Sequence, residues 1–537
     1  MHRHHLLPIA CVTICLTTGS LWAADPWRSA QTLPKDPATL MLRGNATRPG
    51  NETAGNAYQI AWPARVQKID GQWILIGDSG GYTVPPLKGW VRKDEMICIR
   101  DDGETTGEDP SQYYSNKMLE TTDPAAIAGL AWLRGLYWES QQETQIAARD
   151  YSAAIRGAFG QSVDPSATVS SVVELFRPEQ GSAGAQEAMN RFPGLADAYL
   201  RLARLSAKSA ETGRTAIAEL DPASIQSTVS QHWKTYFACA EVLFPMRSST
   251  VGTPSRVPAL DTAWADALVA DYERLLAERT APDKKIKTSM ISHRTPAGDA
   301  KPAEPSASDQ SNEIEAVAAQ ADRLYRNALA ANSSWSNALL GRGKLLMTKA
   351  KALSTSKGTK ATIESQAALM LEAAQQYTLA VQLEPKSRQA FRGRAEAYQS
   401  LAGHPLLKKR YSERCRCLSQ AAQSADTASQ LGRDRDPSCL ELLAQVIESE
   451  GEIYNELKAP KNAATFFKQA SYYWQEAAAC PNADRASIQD KMAACRKKIG
   501  DQQTLVAESS RDLEAAPEPQ LPFYRPGSNL FGNKSRE

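Results

Sequence analysis

The sequence predicts a mainly α chain, in which antiparallel helix pairs stack as an α-solenoid behind a small β-barrel. Three observations carry this prediction. Small and large residues recur at matching offsets: Gly135, Trp138, Ala147, Tyr151 and Ala154, and again Gly451, Tyr454, Ala463, Phe467 and Ala470. Ahead of them, residues 58–100 hold short apolar runs separated by Asp-Gly and Gly-Gly, the punctuation of tight strand turns. Finally, 537 residues of ordinary composition, 42% hydrophobic and 23% charged, are too many for one hydrophobic core.

In chain order, residues 1–23 read as a secretory signal. Arg3 and the neighbouring histidines precede an apolar run from Leu6 to Leu16, and Leu21-Trp22-Ala23 resembles a small-residue cleavage site. A retained N-terminal anchor is the alternative, though Pro8, Thr13 and Thr17 interrupt a run already short for a bilayer. No later stretch is long and apolar enough to span one. The expected location is therefore the periplasm, the cell envelope or the outside of the cell. Residues 24–57, rich in Pro, Gly, Asn and Thr, read as irregular and include sequons at Asn45 and Asn51. Strands are expected at 64–69, 73–76, 89–91 and 96–98. Residues 122–279 form a first helical block and 280–311 a disordered linker of Pro, Lys, Ser and Asp. Residues 312–500 form a second helical block, closed by a polar-faced helix from Arg485. A disordered tail with four prolines occupies 501–537.

Two resemblances attach to these zones. Gly71-Gln72-Trp73-Ile74 and Gly89-Trp90-Val91 resemble the bacterial Src-homology-3 (SH3) family over about 40 residues. That resemblance implies a bent barrel binding peptides or cell-wall glycopeptide, with Tyr82 and Trp90 as surface candidates and Trp73 in the core. The recurring helical pattern resembles the tetratricopeptide repeat (TPR) family, whose period is about 34 residues. Besides the two ungapped stretches, one match runs from Gly343 to Ala373, Tyr377 and Ala380, and another from Ala395 and Tyr398 to Ala421, Ala425 and Ala428. Each of these two carries an insertion between its helices. Small residues let paired helices approach, and the aromatics fill the groove beside them, so those aromatics are core.

The TPR resemblance implies that recognition uses the face lined by the first helix of each pair. In this chain those positions hold Asn337, Leu340, Lys344 and Met347, then Gln389, Arg392, Glu396 and Gln399, then Gln445, Glu448, Glu452 and Asn455. A drift from basic to acidic would suit an extended peptide of mixed charge; a solvated face is the alternative. The Lys and Asn arrangement of the family's carboxylate clamps is absent.

The remaining chemistry points away from catalysis. Sixty-two Lys+Arg against 60 Asp+Glu gives +2, which disfavours nucleic acid as a partner. Beyond the signal only His232, His293 and His404 occur, so no cofactor or metal site is expected. Gly77-Asp78-Ser79-Gly80-Gly81 imitates a serine-hydrolase nucleophile segment. Its serine has no preceding histidine outside the signal, and Pro85-Pro86 forbids the helix that a hydrolase elbow requires. Lys408-Lys409-Arg410 with Arg414 and Arg416 is the densest basic cluster, offering either a polyanion contact or plain solvated surface. The expected function is an exported, non-catalytic scaffold that binds protein or peptide partners through its solenoid. Peptidoglycan binding led by the SH3-like module is the first alternative, and a serine hydrolase at 77–81 the second.

Overall fold

The computed structural model describes residues 27, 30–36, 62–77, 88–100, 105, 109–161, 172–177, 183–212, 232–247, 257–280, 307–354, 359–431 and 435–512. Five strands and fifteen α-helices lie among them. The expected signal, the sequons, Ser79 and Tyr82 fall outside the described residues.

The strands β1 (Gln31–Pro34), β2 (Ala64–Asp70), β3 (Trp73–Gly77), β4 (Lys88–Arg92) and β5 (Met96–Ile99) form one antiparallel sheet in the order β4-β3-β2-β1-β5. The number of strands and their pairing suit an SH3-like barrel. Alternation decides the faces: Val66, Ile74, Ile76 and Val91 point inward and are buried. The β2–β3 turn runs through Asp70-Gly71, where Gly71 takes φ +57°, a left-handed conformation that a residue without Cβ adopts at little cost.

Two expectations change here. Residues 24–57 are not irregular throughout, because Gln31–Pro34 forms the strand between β2 and β5. Its four residues end in proline and show no alternation to read; pairing on both sides makes them a strand. Trp73 is also not core. It is half-buried on the outer face with Leu75 and Trp90, since β3 places Ile74 and Ile76 inside.

Behind the sheet, α1 (Pro110–Glu120) starts at Asp109, whose carboxylate accepts the Ser111 N–H at 2.7 Å. The buried Tyr114 hydroxyl donates to the Pro34 carbonyl at 2.7 Å, fastening helix to sheet. The solenoid follows as α2 (Pro124–Ser140), α3 (Thr144–Ala158), α4 (Ala183–Arg191), α5 (Leu195–Thr212), α6 (Trp233–Arg247), α7 (Pro258–Thr280) and α8 (Ala307–Ala331). It continues through α9 (Ser336–Ser354), α10 (Lys360–Leu383), α11 (Arg388–Ala402), α12 (Tyr411–Gln430), α13 (Pro437–Glu456), α14 (Pro460–Ala479) and α15 (Arg485–Asp512). Pairs form between α2 and α3, α5 and α6, α7 and α8, α9 and α10, α11 and α12, and α13 and α14, with α15 packed on α14.

The small-to-large rule of the repeats is visible atom by atom. A Cβ on Gly135 would stand 2.7 Å from the Tyr151 ring, on Gly451 2.7 Å from Phe467, and on Gly343 2.8 Å from Tyr377. Each glycine therefore admits the aromatic of its partner helix, and Tyr151 and Phe467 are essentially buried. All seven cysteines from Cys98 onward are buried, and burial pushes the Cys415, Cys439 and Cys495 thiols up to about 11.

The expected break at 280–311 does not divide the solenoid. Helix α8 begins at Ala307 and pairs with α7, which ends at Thr280. A single core runs from the sheet through Tyr325, Ala328, Ala338 and Leu345. The polar stretch is an insertion inside one helix pair, which costs little because loop-closure entropy grows slowly with length. The expected tail also begins later, since α15 continues to Asp512.

Glu450 on α13 is the odd member of the second core. It is 2% exposed, and one of its carboxylate oxygens has no hydrogen-bond partner. Burial pushes its carboxyl up to about 8, against a lowering hydrogen bond from Ser419. The folded chain thus holds this proton more tightly than the unfolded chain, so the contribution falls as pH rises from about 5 to 8. The expected result is a urea midpoint that declines across this window and a smaller decline in Glu450→Gln. Equal pH dependence in both proteins would remove Glu450 as the cause.

Candidate functional site: the groove along the first helices

The first helices of successive pairs, α5, α7, α9 and α11, lie side by side and line a groove of about 600 Å³. Helix α5 contributes Arg204 and Lys208, α7 Thr262 and Asp266, α9 Asn337, Leu340 and Lys344, and α11 Gln389. Trp335, from the turn before α9, completes the lining, and its indole donates to Thr262 Oγ1 at 2.9 Å. Opening between helix faces instead of within a core, the groove mixes apolar wall with charge.

Its electrostatics are set by few groups. The Asp266 carboxylate accepts the Tyr325 hydroxyl at 2.5 Å. Crowding by the groove walls pushes the Asp266 carboxyl up to about 6, and Tyr325, Arg204 and Lys344 pull against this shift without cancelling it. Its side chain nevertheless meets water in the groove. Lys344 pairs with Glu273 at 3.0 Å across an exposed contact, which fixes its direction more than it adds stability. Arg204 is exposed on the groove wall.

Beneath the groove lies a buried polar network. Arg201 donates to Asp197 at 2.8 Å, to Glu139 at 2.8 Å and to the Trp62 carbonyl at 2.5 Å. Asp197 also accepts the Trp132 indole at 2.8 Å, and Glu139 accepts the Tyr151 hydroxyl at 2.6 Å. Burial opposes ionisation of Glu139, but Arg201, Arg204 and the Tyr151 hydroxyl together hold its carboxyl below the usual range. The network joins α2, α3 and α5 to the chain entering β2, and so fixes the wall that carries Arg204.

Of the residues expected to bind, Asn337 and Lys344 line this groove. Arg392 and Glu396 instead pair with each other at 2.9 Å, and Arg392 also donates to Ser438 at 3.0 Å. Gln399 is half-buried on α11. Glu448, Glu452 and Asn455 are engaged by the closing helix. Lys498 of α15 binds Glu448 at 2.7 Å and Glu452 at 2.6 Å, and Gln502 donates to Asn455 at 3.0 Å. The closing helix therefore engages part of the surface that the repeat pattern assigned to a ligand, while Glu452 and Asn455 stay exposed. In the sheet, Trp90 stands half-exposed with the Lys68 ammonium 5.9 Å from its ring. Sequence reasoning missed Arg204, Lys208 and Asp266; the repeats that carry them are degenerate, so no register projects them onto the inner face.

The chain matches no protein-family model and no curated protein. Among solved structures it is similar to Nro1, described as a hypoxic regulator of sterol synthesis that is a nuclear import adaptor. That likeness has 12% identity and a TM-score of 0.34, covering 71% of this chain and 97% of that one. It is also similar to the APC/C hetero-tetramer Cut9-Hcn1, at 11% identity and a TM-score of 0.12, over 68% of this chain and 76% of that chain. At these scores neither likeness carries an argument about fold or function.

Proposed function

We propose that the chain is a non-catalytic scaffold that binds an extended segment of a protein partner along the α5–α7–α9–α11 groove. The observation that carries this reading is the lining itself: three successive first helices present Arg204, Lys208, Asp266 and Lys344 beside Trp335 and Leu340, and α11 adds Gln389, in one cleft. Such a surface reads a peptide through alternating charged and apolar contacts, with no reacting group required. The reading extends to the compartment: with 1–23 as a cleaved signal, binding takes place in the periplasm or at the cell envelope. A second reading rests on the outer face of the sheet, where Trp73, Leu75 and Trp90 form a half-exposed apolar strip suited to stacking on a sugar or peptide. Peptidoglycan is its ligand.

One experiment weighs both readings. Peptides selected from a random library on the full chain are expected to lose at least about tenfold in affinity on Arg204→Glu with Lys344→Glu, and nothing on Trp90→Ala. Sedimentation with peptidoglycan that depends on Trp90, with no selectable peptide, would replace the first reading by the second.

A further inference from the structure

One edge of the solenoid, away from the groove, carries an uncompensated row of cations. It is built from the turns inside three successive pairs: α9 to α10, α11 to α12 and α13 to α14. Hydrogen bonds tie these turns together. Gln366 donates to the Ala350 carbonyl at 3.1 Å and meets His404 Nε2 at 3.3 Å. Arg414 then reaches the Lys408 carbonyl at 3.3 Å and Glu456 at 2.8 Å.

Along this edge Lys351, Lys408, Lys409, Arg416, Lys458 and Lys461 are exposed, and none stands in an ion pair among the described residues. The acids within the same turns are already held: Glu364 by Lys360 at 3.9 Å, Glu413 by Arg410 at 3.3 Å and Glu456 by Arg414 at 2.8 Å. The opposite edge is balanced, with Glu384 near Lys386, Asp436 next to Arg435 and Asp484 next to Arg485. Since the whole chain carries only +2, this excess is a local feature and not a general basicity. At its centre a short 3-10 turn, Pro405–Leu407, lifts Leu406 to 42% exposure beside Lys408 and Lys409.

We propose that this edge docks the protein on an anionic lipid surface. The helix ends of three stacked pairs present a broad face, matched to a plane more than to a single strand. Five of the six unpaired cations are lysines, point charges that suit diffuse headgroups and lack the planar fork used to read individual phosphates. Leu406 distinguishes the ligand: an apolar side chain among cations gains from entering a headgroup–acyl boundary and gains nothing from a soluble polyanion. Each cation near such a surface adds roughly fivefold to partitioning, so six suffice for salt-sensitive, reversible attachment.

The test is co-sedimentation of the full chain with vesicles of phosphatidylcholine alone or with added phosphatidylglycerol, read as the difference between the two. The expected result is binding favoured by the anionic lipid at about 0.1 M salt and lost near 0.5 M. Lys408→Glu with Lys409→Glu is expected to weaken that difference by at least about tenfold, Leu406→Ser by a few-fold, and Lys386→Glu on the opposite edge not at all. These side chains are exposed, so an unchanged circular-dichroism melt accompanies each variant. No preference for anionic vesicles, or equal binding by the charge-reversed variant, would overturn the proposal. So would displacement from the vesicles by heparin together with no effect of Leu406→Ser.

Discussion

Arg201→Met is expected to destabilise the chain by about 3–5 kcal/mol at neutral pH, the loss seen when one partner of a buried ion pair is removed. The guanidinium is the hub of a largely buried network: it satisfies Asp197, Glu139 and the Trp62 carbonyl together. Methionine fills much of the same volume but leaves two carboxylates facing apolar surroundings. The sign with pH follows from Glu139, whose carboxyl is held below its usual range in the folded chain. Its contribution is therefore present at neutral pH and is lost as pH falls through the folded value. Without Arg201, only Arg204 and the Tyr151 hydroxyl oppose burial, and the Glu139 pKa rises. Acidification from about pH 7 to pH 5 should then narrow the gap between variant and parent. Urea titrations at both values, followed by tryptophan fluorescence, measure this directly; a gap that is small at pH 7 or independent of pH would contradict the role given to Arg201.

Gly451→Val is expected to cost about 3 kcal/mol, because overpacking a filled core displaces side chains that have nowhere to go. A Cβ there would stand 2.7 Å from the Phe467 ring, itself 1% exposed. Phe467 has little room to retreat: the Lys498 ammonium of α15 lies 5.6 Å from its ring, and Cys495 donates to its backbone carbonyl at 3.1 Å. The control is Gly500→Ala. A Cβ at Gly500 meets nothing within 4 Å, so the helix-propensity gain of about 0.5–1 kcal/mol stands alone. Thermal melts of the two variants should shift in opposite directions. A neutral Gly451→Val would mean that the glycine-to-aromatic contact does not set the spacing of this pair.

These contacts explain why the repeats were legible. Close helix packing demands a small residue on one helix opposite an aromatic on the other, and that demand leaves a fixed spacing in the sequence. Nothing comparable marks β1, because Gln31–Pro34 is a strand only through its neighbours. The interior of 280–311 is poor in apolar residues and so resembles a domain boundary. What decides continuity is the packing of α8 on α7, which composition does not encode. The site was legible by halves. Asn337 and Lys344, read from an ungapped first helix, line the groove. For Glu448, Glu452 and Asn455 the repeat pattern carries no information about α15, whose Lys498 and Gln502 pair with them. The spacing of Lys498 and Gln502, one helical turn apart, matches that of Glu448, Glu452 and Asn455, and is the signal that could have revealed the cap.

The central claim, that the groove between first helices is the binding surface, is tested most directly by hydrogen exchange on the full chain with and without a selected peptide. The predicted result is slowed exchange in α5, α7 and α9 that disappears in the Arg204→Glu, Lys344→Glu variant. Protection confined to the sheet or to the second helices α6, α8 and α10, with the groove unaffected, would contradict it.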